Sequence, residues 1–381
     1  MSEQLSHGNP AARLNSWCAV TVTNGGHRLA GRVSLLERRT RWIWASPRIA
    51  PPRAKKTQGM GRRSVGRRAV GLALQGVIVV AFIVGSATPA LAAKPTVRGS
   101  HGGGGGGGSA TPTGNDVSYP QCGTSLPAAP AFGIVGVTGG LANDLNPCFG
   151  PSKTYPRYTQ SELYWAVTSS VGGTSQPKAS LYVNTADPGN VYNGTVVKDW
   201  PTSGSTPYGS CTTTKVTLTS GTATVGANST ACAWQYGYDK ATQDASWLGA
   251  AASAINTLTG AASVPGTAAS YPWWLDVETA NTWQTDTAMN VADLTGMVAG
   301  LEAAGVGTGT VGVYSTSSQW DSITGGGTKA SSGSLHEIPN WIPGARDLSG
   351  AKANCAQASF TGGTVTVTQW FGRPDDGDYA C

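Results

Sequence analysis

The chain has 381 residues, with 26 Lys and Arg against 20 Asp and Glu, and only 12% of its residues are charged. The charge is uneven: residues 1–93 hold 14 of the basic groups and only two acids, Glu3 and Glu37, so residues 94–381 carry a net charge of −6. An acidic remainder excludes the basic surface that a nucleic-acid partner needs, and a sequence with no CxxC pair or Cys/His cluster excludes a zinc centre, so neither metal nor cofactor is expected.

In chain order, the arginines of MGRRSVGRRAV (60–70) precede the apolar run GVIVVAFIVG (76–85) and the small residues of ATPALAA (87–93). Basic, apolar and small in that order is the pattern of a secretory signal peptide. It assigns 60–93 to a signal peptide and 1–59 to a basic extension or to a start placed upstream of Met60; an uncleaved membrane anchor is the competing reading. The protein is then expected to be secreted, extracellular or cell-wall associated. Residues 94–114, with a glycine run at 102–108, read as a flexible linker, because glycine has no side chain to pack.

The remaining residues, 115–381, alternate short apolar strands with helix patterns. Strands read over 115–118, 132–139, 179–185, 273–278, 310–316, 339–345, 364–370 and 376–381. Helices read over 161–170, 240–260 and 290–305, the last with Asn290 as N-cap and Gly305 as C-cap. This alternation points to a parallel sheet of the α/β class, and eight strands in this length suit a single closed (β/α)8-type, TIM-like barrel. A doubly wound open sheet competes, and the last two strands leave hardly any room for a helix between them. Residues 190–235, rich in Thr, Ser and Gly, break the alternation and read as an inserted β-hairpin or loop on the barrel rim. GTGTVG (307–312) fits a dinucleotide-binding pattern, but it follows a helix and enters a strand, the reverse of what a phosphate site needs.

Beyond the leader lie six cysteines: Cys122, Cys148, Cys211, Cys232, Cys355 and Cys381. An even number in an exported chain permits three bridges. Cys211 and Cys232 flank the insertion and pair first. Cys122 and Cys148 follow strand ends on one rim, and Cys355 and Cys381 remain by elimination, with other pairings open.

In WWLDVE (273–278), Asp276 and Glu278 stand two apart on a strand, so they project to one side with Cα atoms about 6.6–6.8 Å apart. At the carboxyl end of a barrel strand that side is the mouth, where active sites of this fold sit. Like charges in a partly apolar setting raise at least one pKa, as a general acid at neutral pH requires. Asp116 in the first strand and Asp378 in the last become neighbours when the barrel closes. Trp274, Tyr314, Trp341 and Trp370 accompany these acids and suit stacking on sugar faces, which favours glycan chemistry over a hard cation held by the carboxylates. Trp273 and Trp274 point opposite ways, so one of them is core.

DVSYPQ (116–121), LDVE (275–278), TQW (368–370) and GDYAC (377–381) stand in that order. Over roughly 115–381 the chain thereby resembles the glycoside hydrolase family 25 lysozymes, the N-acetylmuramidases. The resemblance implies a glycosidase whose partner is peptidoglycan or a related amino-sugar polymer. It implies Glu278 as proton donor, Asp276 beside the N-acetyl group or the positive centre, and Asp116 and Asp378 completing an acidic floor. Two positions depart from the family pattern. Its second strand usually carries a basic residue where GIVGVTGG (133–140) has none, and its third an aromatic-histidine pair where LYVNT (181–185) has Asn184. An alternative is therefore a non-catalytic cell-wall glycan-binding protein on the same barrel.

Overall fold

A computed structural model describes residues 112–326, 333–372 and 375–381. The basic extension, the signal peptide and most of the glycine linker lie outside the described residues.

The chain enters through β1 (Gly114–Val117) and β2 (Gly133–Gly136), then α1 (Glu162–Ser169) and β3 (Ala179–Asn184). Three hairpins follow: β4 (Val191–Tyr192) with β5 (Thr195–Val196), β6 (Gly204–Thr206) with β7 (Gly209–Cys211), and β8 (Thr213–Leu218) with β9 (Gly221–Gly226). They lead into α2 (Thr230–Thr259), β10 (Trp273–Asp276), α3 (Thr287–Ala303), β11 (Val311–Tyr314) and α4 (Ser317–Thr324). The chain finishes through β12 (Asn340–Ala345), α5 (Leu348–Asn354), β13 (Val365–Trp370) and β14 (Asp376–Ala380).

Eight of these strands close into a barrel in the order β1-β14-β13-β12-β11-β10-β3-β2. Every segment read as a barrel strand in the sequence contributes one. The barrel is mixed, however: β14 runs antiparallel to both β1 and β13, while the other neighbours are parallel. This departs from the all-parallel (β/α)8 scheme, and connection length explains it. Parallel neighbours need a crossover of roughly a dozen residues or more; the chain instead doubles back after Trp370, which pairs with Gly377. No α-helix stands between β1 and β2 either.

Alternation along the strands sorts the aromatic side chains. Trp273 is wholly buried in the apolar layer between barrel and helices, with Leu181, Leu275, Leu294 and Val313. Trp274 points into the barrel, beside Ile134, Tyr182, Trp341 and Val367. Its ring fills the place a side chain at position 312 would take, since a Cβ on Gly312 would lie 2.4 Å from it; glycine is needed at this register partner.

Two helices differ from expectation. α3 starts earlier, with Asp286 accepting from Ala288 N as the cap, and Asn290 is a buried helical residue donating to Gln284 O and Ile323 O. α2 starts ten residues before position 240, capped by Ser229, because Trp234 and Tyr236 in its first turns pack with Trp200 of the insertion rather than with the barrel. Trp200 stacks on Tyr236 at 5.3 Å. The insertion is thus three hairpins, of which β6–β7, together with Trp200, packs against α2. Disulfides join Cys122 to Cys148, Cys211 to Cys232 and Cys355 to Cys381, with Cα–Cα distances of 5.0, 4.6 and 5.6 Å.

Candidate active site

At the carboxyl end of the parallel strands a cavity of about 130 Å³ is lined by Asp116, Ser118, Tyr182, Asp276, Glu278, Tyr314, Trp341, Gln369 and Asp376. Four of its nine lining residues are carboxylates, and none is Lys, Arg or His. No residue of the 190–235 insertion lines it.

Asp276 closes β10 and is buried. Its Oδ2 accepts from Asn184 Nδ2, while its Oδ1 has no hydrogen-bond partner. The backbone beneath is clamped: Asp276 O accepts from Thr185 N at 3.2 Å and Thr185 Oγ1 at 2.6 Å. Burial, then the charge of Glu278, push the Asp276 carboxyl well above the usual range, and the Asn184 bond opposes them. Glu278, two residues on and half-buried, is also raised by burial, with a hydrogen bond from Gln319 acting against the shift.

Asp116 faces this pair from β1. It accepts from Ser118 Oγ at 2.6 Å and Gln369 Nε2 at 2.9 Å, and Tyr314 Oη donates to Gln369 Oε1 at 3.0 Å. Burial pushes Asp116 up to about 6. Ser118 Oγ also lies 3.2 Å from Asp376 Oδ2. Behind this wall, Asp378 is fully buried and accepts from Trp341 Nε1 at 3.0 Å, while its Oδ2 has no hydrogen-bond partner. Burial and the Asp116 charge raise its carboxyl far above the ordinary range.

Of the acids singled out in the sequence, Asp116, Asp276 and Glu278 reach the cavity. Asp378 does not: β14 runs away from the mouth, so its first acid, Asp376, lines the wall and Asp378, two residues on, lies deeper. Of the aromatic residues, Tyr314 and Trp341 line the cavity, with ring centroids 4.5 Å apart. Trp274 lies below it, two residues toward the closed end of β10, against Trp341 at 5.8 Å. Trp370 faces away because its neighbour Gln369 faces in; it packs over Gly377, where a Cβ would lie 2.0 Å from its ring. Ser118, Tyr182, Gln369 and Asp376 were not singled out. The period of two marked three of them, since Ser118 is two from Asp116, Asp376 two from Asp378, and Gln369 alternates with Trp370. Among the described residues no group of three or more His, Cys, Asp and Glu is set to hold a metal ion.

The fold and the cavity define an α/β-barrel protein with a carboxylate-lined pocket at the carboxyl end of its strands. A family model described as lysozyme-like protein 1 matches residues 251–337. The "Probable GH family 25 lysozyme 4" of Dictyostelium discoideum is 40% identical over 68 residues, 18% of this chain and 28% of that protein. No solved structure matches. The chain carries a divergent domain like those of glycoside hydrolase family 25. The family match spans β10 and β11, with Asp276, Glu278 and Tyr314; it does not reach Asp116, Asp376 or Asp378.

Proposed function

We propose that this chain is a secreted glycoside hydrolase cleaving peptidoglycan or a related amino-sugar polymer, on a variant of the (β/α)8 barrel. The observation that carries the reading is the pairing of Asp276 and Glu278 on one side of the β10 end, opening into a cavity with Asp116 opposite. Glu278 is the proton donor. It stands at the mouth, within reach of a glycosidic oxygen, and burial holds its proton at higher pH than usual. Asp276 lies deeper, where positive charge developing at the anomeric carbon favours its ionised form and leaves the pair's proton on Glu278. As the C–O bond breaks, Glu278 protonates the leaving oxygen; a water then adds its hydroxyl to the anomeric carbon, and its proton restores the acid. Asp116 supports the charge from the opposite wall, with Asp378 behind it, and Tyr314 and Trp341 offer ring faces to the sugar.

Export is proposed from the 60–93 pattern, with a mature chain starting near Ala93 or Lys94 and continuing through the glycine linker. Three disulfides suit an oxidising compartment. The lysozyme-like match at β10 and β11 supports the substrate class.

The test is release of reducing ends from purified cell walls by the full chain, across pH, with binding to the same walls measured in parallel. Hydrolysis that disappears in Glu278→Gln while wall binding persists supports the enzyme. Wall binding without hydrolysis at any pH, unchanged in Glu278→Gln, leaves the glycan-binding protein as the reading.

A further inference from the structure

Asn184 ends β3, beside Asp276 at the end of β10, and the two are register partners. Its side chain is buried and makes three hydrogen bonds. Asn184 Oδ1 accepts from Gly140 N at 3.0 Å and from Thr138 Oγ1 at 3.0 Å, and Nδ2 donates to Asp276 Oδ2. A carboxamide looks nearly the same when flipped, so its orientation is decided by neighbours that cannot change role. Gly140 N is such a neighbour: a backbone N–H only donates, so the amide oxygen must face it. Thr138 is held in turn, because its Oγ1 accepts from Asn184 N at 2.7 Å and therefore gives its own proton to Oδ1. Gly140 has a φ of 100°, which favours glycine, so the donor sits where a special backbone turn puts it. Once the oxygen is committed, the NH2 group can only point at Asp276.

This arrangement has two consequences for Asp276. One carboxylate oxygen of this cavity-lining residue is tied down, which sets the plane of the group and leaves the buried Oδ1 without a partner. In addition, a fixed donor bonds well to an ionised carboxylate and poorly to a protonated oxygen, so it favours the ionised form. A neutral amide does this without placing a cation in a pocket whose lining has none.

We infer that Asn184 is a positioning residue for the reaction, holding Asp276 in one orientation and favouring its ionised form. The inference rests on the glycosidase reading above. It acts through Asp276 and assigns no contact between Asn184 and the sugar.

The test is the pH profile of kcat for the full chain. Asn184→Asp keeps the shape and the acceptors for Gly140 and Thr138 but turns the donor facing Asp276 into a second acid. Asn184→Leu removes the donor without adding charge. Both are expected to move the acid limb to higher pH, by about one unit for the loss of one hydrogen bond to the carboxylate and further for Asp. At a fixed pH on that limb the leucine variant is then about tenfold slower, one unit being one factor of ten, while near the optimum the loss is smaller. A limb that stays in place while rates fall by one factor at every pH overturns the inference and leaves Asn184 a merely structural residue. The same titration is read without turnover from the carboxyl carbon of Asp276 in protein labelled with carboxyl-13C aspartate, assigned by its disappearance in Asp276→Asn. If the wild type hydrolyses nothing, the glycosidase reading fails by itself, and an Asp276 titration unmoved in Asn184→Leu then also removes the positioning role.

Discussion

Replacing Asp378 distinguishes a buried neutral acid from a buried charge. Asp378 is buried beside Asp116, and burial, then the Asp116 charge, favour its protonated form. Asp378→Asn is neutral, and its amide oxygen still accepts from Trp341. Its stability at pH 7 is expected within about 1 kcal/mol of wild type. Asp378→Leu has about the right size but leaves the Trp341 indole N–H without its 3.0 Å acceptor. A buried polar group left unpaired costs about 1–3 kcal/mol, which is the loss expected. Urea unfolding of the full chain at pH 7, with disulfides intact, measures both variants. An asparagine variant as damaged as the leucine variant refutes the neutral acid, because it means that the acid at 378 is needed as a charge.

Glu278→Gln is expected to lower kcat by about 10²–10⁴-fold, the usual contribution of a positioned general acid, with a normal unfolding curve and retained wall binding. The wild-type pH profile is expected to be bell-shaped, falling on the acid side as Asp276 and Asp116 protonate and on the alkaline side as Glu278 ionises. Cys211→Ser with Cys232→Ser opens the loop between β7 and α2 and is expected to cost about 2–4 kcal/mol in urea unfolding, while wall hydrolysis persists because the insertion does not line the cavity. Glu162 is fully buried, accepting from Gln121 N and Asn146 Nδ2, and burial pushes it from 4.5 to about 7. A carboxyl with a raised folded-state pKa stabilises fully below its unfolded value and loses that contribution as pH rises through the folded one. Wild type is therefore expected to lose about 3 kcal/mol relative to Glu162→Gln between pH 4.5 and pH 8; a stability difference that does not vary with pH refutes this.

Strand positions and the side on which each acid lies were legible in the sequence, because a strand repeats every two residues and its apolar runs are local. Asp276 and Glu278 could therefore be put on one side, and Trp273 and Trp274 on opposite sides, before any neighbour was known. The pairing of cysteines across the insertion was legible for the same local reason. What only the tertiary structure decided depends on direction and depth. The antiparallel run of β14 brings Asp376 to the wall and takes Asp378 behind it, an inversion that no period along the strand encodes. The N-terminal turns of α2 were hidden because their aromatic residues pack with Trp200 and Cys211 of the insertion rather than on the barrel. The orientation of Asn184 depends on a backbone N–H from the loop after β2, and residues 44 apart meet there only because β2 and β3 pair in parallel.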